Sequence, residues 1–144
     1  MKANIRVKGL KELEANAKKM RLDLSNANRR VFTQEAHTLK NLIKSKVGVW
    51  RGLLYEAIVD KKWKDEYGVT GFVIGITHES SRSEFRVGKN GAYYYPASQE
   101  YGWTSNGTHY PGKPYIRPSW DERKSKIRSN ARKAYKEIID RARG

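Results

Sequence analysis

The chain has 144 residues, no cysteine, and 30 Lys and Arg residues against 15 Asp and Glu, which gives a formal net charge of +15. The lack of cysteine excludes disulfides and thiolate sites. The sequence contains no run of about 18 apolar residues, so no membrane-spanning helix is predicted. The length and a hydrophobic fraction of 38% are typical of one folded domain. We therefore expect a single soluble domain made inside a cell.

The positive charge is concentrated at the two ends of the chain. Residues 1–47 carry a net charge of +8 and residues 119–144 a net charge of +5, whereas residues 48–88 are neutral overall. Such an imbalance favours binding to a polyanion, either nucleic acid or an acidic protein surface. The other interpretation is two amphipathic helices whose basic faces are simply solvated.

The N-terminal third of the chain has a helical pattern. Residues 1–9 show a brief apolar alternation that predicts an extended arm or strand, and residues 10–47 predict a helix, with a break near 23–26 as an alternative. Apolar residues recur in this helix at steps of three and four, at Leu10, Leu13, Ala17, Met20, Leu24, Ala27 and Val31.

The middle of the chain predicts a small antiparallel sheet within residues 53–95. Three runs rich in β-branched and aromatic residues, near 54–63, 70–78 and 84–88, read as the strands of a meander. Residues 93–95 extend the pattern and lead towards a short helical turn before Gly102.

The C-terminal part predicts a long loop followed by a helix. Residues 96–118 form the loop, and residues 119–142 form the helix, with Ser119 as N-cap and Glu122 completing a capping box. The predicted fold class is therefore α+β, a single domain whose long N-terminal helix precedes the sheet and whose C-terminal helix packs on the sheet.

An enzymatic site is poorly supported. The three histidines, His37, His78 and His109, are far apart and lack metal-ligand spacing. No phosphate-binding loop and no nucleophile elbow is present, and Glu100 is the only carboxylate of the aromatic segment described next. We predict no catalytic residue, no metal and no cofactor.

The segment 93–120, called here the aromatic segment, contains all four prolines and a dense set of Tyr and Trp residues. An active site, a nucleic-acid platform and a contact loop for a protein partner are three possible explanations. A platform that stacks bases normally alternates aromatic and basic residues, but positive charge is sparse here. A contact loop with Tyr and Trp anchors is favoured, and a non-specific basic DNA-binding module is the alternative function.

Four stretches in this order resemble the tail-completion (head–tail joining) proteins of long-tailed bacteriophages. They are VKGLKELEANAKKM at 7–20, WRGLLYEAI at 50–58, YYYPASQEYGW at 93–103 and KPYIRPSWDERK at 113–124. The resemblance spans nearly the whole chain. Trp50-Arg51 and Trp103 stand where the family commonly has Thr, and the Pro-Val that usually precedes the first turn is missing.

The resemblance implies a structural subunit of the virion neck without enzymatic activity. Such subunits form a ring, expected to be a hexamer, between the head connector or stopper and the tail terminator, and the genome passes through the channel. The implied location is the virion, with the host cytoplasm during assembly, and the implied partners are those neck proteins, further copies of the chain and, non-specifically, the passing DNA. No membrane is involved.

On this hypothesis six residues of the aromatic segment lie in or beside a loop that contacts a neighbouring subunit. A more local interpretation remains open, in which Glu100 and Arg117 pair to brace the base of the loop and Tyr115 belongs to the core. The six residues are Glu100, Tyr101, Trp103, Tyr110, Tyr115 and Arg117.

Overall fold

A computed structural model describes residues 9–48, 52–66 and 70–144. The predicted arm at 1–9, apart from Gly9, lies outside the described residues. So do Trp50 and Arg51 of the turn that carries part of the resemblance.

The fold is α+β, as predicted, and the first and last elements of the described residues are long helices. In chain order the elements are α1 (Leu10–Lys46), α2 (Leu53–Ala57), β1 (Ile58–Lys64), β2 (Thr70–Ile76), β3 (Arg86–Val87), β4 (Tyr93–Tyr94), α3 (Tyr95–Tyr101), β5 (Trp103–Ser105), β6 (Thr108–Tyr110) and α4 (Ile116–Arg143). Single turns of 3₁₀ helix lie at Ser83–Phe85 and Lys89–Gly91.

Helix α1 is continuous, so the alternative of a break near 23–26 is wrong. Helix α4 runs antiparallel to α1. Lys46, at the end of α1, pairs with Glu122 near the start of α4, whereas Asn28, earlier in α1, accepts a hydrogen bond from Tyr135 further along α4. Between these contacts the buried Glu35 accepts hydrogen bonds from Arg123 and Asn130. A polar contact that joins two packed helices at one point fixes how far one helix is shifted along the other.

The core lies around the C-terminal half of α1. The buried cluster combines residues from α1, α2, the start of β1, the first 3₁₀ turn, and α4 with its N-cap residue: Leu39, Ile43, Leu54, Ala57, Ile58, Phe85, Tyr115 and Ile127. The N-terminal end of α1 lies beyond it, and the predicted stripe residues Leu10 and Leu13 are exposed. Periodicity correctly predicted the helix but not the exposure of the apolar residues in its first turns.

The predicted meander is wrong in two respects. Residues 53–57, expected to be strand, form α2, because Leu54 and Ala57 are buried at the i, i+3 spacing of a helix and Gly52 precedes them with φ +72°. Within the described residues the strands form three separate two-stranded ladders, β1–β2, β3–β4 and β5–β6, rather than one sheet.

The β1–β2 ladder confirms the second predicted strand and shortens the first. Ile58 pairs with Ile76 and Lys64 with Thr70 at the two ends of the ladder. Trp63 lies opposite Gly71 and its indole covers that residue, so that a Cβ at Gly71 would clash with the ring. The predicted strand at 84–88 is reduced to β3, since residues 83–85 form a 3₁₀ turn.

The predicted loop 96–118 contains regular structure. It holds most of α3, which confirms the helical turn expected before Gly102, and the β5–β6 hairpin. Helix α4 begins at Ile116, three residues earlier than predicted, and Ser119 is therefore not its N-cap. The Ser119 hydroxyl instead donates to the Tyr115 carbonyl oxygen at 2.6 Å.

Candidate functional site

Glu100, near the end of α3, caps the N-terminus of α4. Its Oε2 accepts hydrogen bonds from the backbone N–H groups of Tyr115 at 2.7 Å and Ile116 at 2.9 Å, and its Oε1 accepts one from the N–H of Arg117 at 2.9 Å. The next residue, Pro118, has no N–H. Every backbone donor that the start of a helix leaves unpaired is thus either bound by one carboxylate or absent.

The cap keeps Glu100 ionised although the residue is only 2% exposed. Burial by itself raises the pKa of Glu100, but the backbone N–H groups of Ile116, Arg117 and Tyr115, with the Arg117 side chain, together hold the pKa below its ordinary value of 4.5. The positive end of the α4 dipole acts in the same direction. A buried negative charge is therefore balanced locally.

Arg117 lies on the outer side of this cap. Its Nε donates to Glu100 Oε1 at 3.2 Å and its Nη2 to the Glu100 carbonyl oxygen at 3.1 Å. The guanidinium also lies 5.1 Å from the centroid of the exposed Tyr101 ring. The side chain of Arg117 is mostly exposed, so this cation–π contact contributes about 0.5–1 kcal/mol.

Tyr115 fills the space beneath the cap. Its ring is buried in the core, and its hydroxyl donates to the carbonyl oxygen of Pro96 in α3 at 3.2 Å. Burial, together with the negative charge of Glu100, raises the pKa of the Tyr115 hydroxyl, which therefore stays protonated as a donor. Tyr115 and Glu100 join α3 to α4 by separate hydrogen bonds.

The chain crosses itself at two glycines where the β5–β6 hairpin leaves the body. A Cβ at Gly102 would clash with the carbonyl oxygen of Tyr110, and a Cβ at Gly112 would lie 2.5 Å from the Gln99 carbonyl oxygen and 2.6 Å from the Gly102 nitrogen. Side chains do not fit between backbones this close. The base of the hairpin is therefore closed by direct backbone packing.

The hairpin turns at Asn106-Gly107. Both residues have positive φ, +49° and +76°, as a type I′ turn requires. The first pair of the ladder is Trp103 and Tyr110, whose rings stack with centroids 5.2 Å apart and planes 12° from parallel. The two rings, 37% and 43% exposed, lie on the surface at the base of the hairpin.

A small cavity of about 170 Å³ lies beside Trp103. Its other lining residues come from α3 and the β3–β4 region: Val87, Tyr93, Tyr95, Ser98 and Gln99. An apolar recess next to an exposed aromatic pair is the kind of feature that receives a side chain in a protein interface.

The six predicted residues therefore lie together in one site, which has buried and exposed members. Glu100 and Tyr115 are buried and support it, as the more local interpretation proposed, and Arg117 pairs with Glu100. The Arg117 side chain is itself mostly exposed, and the other exposed members are Tyr101, Trp103 and Tyr110.

Sequence reasoning did not identify the two crossing glycines or the paired strands. The signals were present, because Asn106-Gly107 is a hairpin dipeptide and Gly102 and Gly112 lie outside the two ends of the hairpin. The strands are only three residues long, too short for an alternation to stand out.

The three histidines remain apart in the fold. His37 Nδ1 lies 3.9 Å from Asp60 Oδ2, and His109 Nδ1 lies 3.4 Å from the hydroxyl of Thr104. Over residues 9–48, 52–66 and 70–144, no three His, Asp or Glu side chains form a group that could hold a metal ion. Among the helices within those ranges, none is both long and apolar enough to cross a membrane.

Comparison of the chain with protein-family models, with curated proteins and with solved structures gives no match. The relation to tail-completion proteins stays a prediction from the sequence.

Proposed function

We propose that this chain is a neck subunit of a long-tailed bacteriophage, a tail-completion protein that forms a ring and joins the DNA-filled head to the tail. The observation that carries the proposal is the stacked pair Trp103–Tyr110, exposed on a hairpin with a closed and internally braced base.

A braced hairpin is suited to binding a protein. Binding costs less conformational entropy when the contact residues are already fixed, and here the Glu100 cap and the Gly102–Gly112 crossing fix both ends of the hairpin. Trp and Tyr are also the residues that most often dominate the energy of protein interfaces. A closed ring requires one surface of each subunit to meet a different surface of the next, and a projecting hairpin supplies the first of these.

The charge distribution favours a protein partner for the hairpin over nucleic acid. Residues 103–110 include no Lys, Arg, Asp or Glu, whereas a surface that stacks bases also needs cations to follow the phosphates. Trp103 and Tyr110 moreover use one ring face each to stack on each other.

The cap also connects two of the stretches on which the resemblance rests. Glu100, Tyr101 and Gly102 belong to one stretch and Tyr115 to Pro118 to another, and in the fold the first provides the carboxylate that caps the helix begun by the second. A physical dependence between the two stretches supports reading them as parts of one motif. On this proposal the partners are the head connector or stopper, the tail terminator and neighbouring copies in a hexamer. The location is the virion, and the role is structural.

The proposal is tested by deleting the gene from the phage or prophage that encodes it and examining the particles by electron microscopy. We expect separate DNA-filled heads and complete tails, with joined particles restored when the gene is supplied from a plasmid. Normal joined particles from the deletion strain would overturn the proposal.

A further inference from the structure

The outward face of α4 carries an unusual concentration of free cations. From Arg123 to Lys136 the helix has no Asp or Glu. Arg123 pairs with Glu35 and Lys124 with Asp121. The other five cations are exposed and form no ion pair with any residue that the structure describes: Lys126, Arg128, Arg132, Lys133 and Lys136. We call these five residues the α4 basic face.

The helix period puts these side chains together on the surface. Arg128, Arg132 and Lys136 are spaced four residues apart, so they follow one another along one side at about 6 Å intervals. Ile127 and Ala131, on the opposite side, are buried against the rest of the protein. The basic face is therefore directed away from the core, along about 15 Å of helix from the first cation to the last.

The other residues exposed on this side indicate which polyanion it fits. Ser125 and Ser129 lie between the cations, and no large hydrophobic side chain is exposed after residue 120 in the part of the chain that the structure describes. Arg, Lys and Ser are typical phosphate-contacting residues of DNA-binding proteins. A protein interface, by contrast, is depleted in Lys and Ser and normally contains aromatic anchors.

Helix α1 has nearly as many cations as α4 but no comparable face. Near its C-terminal end Lys40 pairs with Asp60, Lys44 lies over the Tyr55 ring and Lys46 pairs with Glu122. Near its N-terminal end the cations are mixed with exposed leucines, such as Leu13 and Leu22. Arg29 and Arg30, in the middle of α1, are exposed without an ion pair among the described residues, but they are two cations against the five of the α4 basic face.

We propose that the α4 basic face binds the phosphate backbone of duplex DNA without regard to sequence. This inference deepens the proposed function and rests on it for its biological setting, since it assigns α4 to the wall of the channel through which the genome passes. The hairpin and the basic face would then serve two partners, the neighbouring protein and the DNA.

The test compares two variants of the full chain that lose the same charge. One carries R128Q, R132Q and K136Q on the basic face, and the control carries K11Q, K18Q and K19Q on exposed positions of α1. Gln is a good helix former, so both helices should persist, which far-UV circular dichroism checks. Binding to a duplex of about 25 base pairs is measured by fluorescence anisotropy from about 50 to 200 mM salt.

We expect the α4 variant to bind about 10- to 100-fold more weakly near 0.1 M salt, with a slope of log K against log salt reduced by about 2 to 3, because up to three phosphate contacts are lost. The control should stay within about threefold of the original protein. Equal losses in the two variants, or no loss in the α4 variant, would overturn the assignment. So would displacement of the DNA by poly-glutamate as efficiently as by unlabelled duplex, because that would indicate an acidic protein as the partner.

The two proposals fail separately. If the α4 variant loses DNA binding but the gene deletion still gives joined particles, the basic face stands and the neck function is wrong, which leaves a basic DNA-binding module. If the deletion separates heads from tails but the two variants bind DNA equally, the neck function stands and the α4 assignment is wrong.

Discussion

Glu100 and Arg117 are joined by three hydrogen bonds. The Glu100 carboxylate accepts from both the backbone N–H and the Nε of Arg117, at 2.9 and 3.2 Å, while the Glu100 carbonyl oxygen accepts from Nη2 at 3.1 Å. The two residues are separated by the hairpin in sequence, so this contact closes the segment that carries the exposed aromatic pair.

Glu100→Gln should destabilise the protein by about 2–3 kcal/mol at pH 7, because a neutral amide accepts fewer hydrogen bonds and leaves buried backbone donors unpaired. Urea denaturation measures the free energy of unfolding. Glu137→Gln, an exposed carboxylate later on α4 with no ion pair among the described residues, is the control and should change it by less than about 0.5 kcal/mol. Equal effects of the two substitutions would show that the cap contributes nothing special.

The stabilisation by Glu100 should depend on pH. Because the folded-state pKa of Glu100 lies below its ordinary value of 4.5, its contribution is present above pH 4.5 and is lost as the pH falls through the folded value. Asp60 and Glu84 also have lowered pKa values, so the original protein loses stability in acid for several reasons. The difference between the original protein and Glu100→Gln isolates one group and should shrink between pH 5 and pH 3, at roughly the range where carboxylates titrate. A difference that stays constant over this range contradicts an ionised cap.

Gly112→Ala should be much more destabilising than Gly107→Ala. A Cβ at Gly112 would lie 2.5 Å from the Gln99 carbonyl oxygen, and backbone cannot move aside cheaply, so we expect a cost of about 3 kcal/mol or more. Gly107 has φ +76° but open space around it, which predicts about 1–2 kcal/mol from backbone strain alone. Thermal unfolding separates the two variants, since each kcal/mol shifts Tm by about 2–4 °C in a chain of this size. If Gly112→Ala is the milder change, the crossing does not hold the hairpin closed.

Glu35 and Arg123 should show strong energetic coupling. The Glu35 carboxylate is buried between α1 and α4, with Oε2 2.9 Å from Arg123 Nη2 and Oε1 2.5 Å from Asn130 Nδ2. Either E35A or R123A leaves a partner without its counter-charge and should cost about 3 kcal/mol. In the double variant we expect the costs to fall short of their sum by about 1–3 kcal/mol. Additive losses would mean that the pair does not act as one contact.

Local patterns in the sequence predicted the long elements. They failed where a residue distant in the sequence determines where an element begins. The helices predicted at 10–47 and 119–142 are present in the fold as α1 and α4, as is the strand that becomes β2. The capping box at Ser119 and Glu122 predicted a helix with Ser119 as its N-cap. In the fold α4 begins at Ile116, because Glu100 supplies the cap from another helix. No local rule anticipates a cap provided from so far along the chain.

The residues of the candidate site were predicted, but their arrangement was not. All six residues lie where α3, the hairpin and α4 meet, and the pairing of Glu100 with Arg117 was one of two interpretations left open. A sequence pattern does not show whether an aromatic residue belongs to the core or to a contact surface. Tyr115 is buried and Trp103 is on the surface, although both are aromatic residues of one segment. Similarly, periodicity cannot show that Leu10 and Leu13 are exposed.

The most direct test of the proposed joining role is rescue in vitro. Filled heads and tails from the deletion strain are mixed with purified protein, and infectious particles are counted. W103S with Y110S should leave the protein folded but reduce rescue by at least about 100-fold, a loss near 2.7 kcal/mol that two central anchors commonly supply. The control, W120S with Y55S, removes the same residue types at similar exposure, 45% and 51%, and should rescue as the original protein does. Full rescue by W103S with Y110S would contradict the assignment of the hairpin as the joining contact.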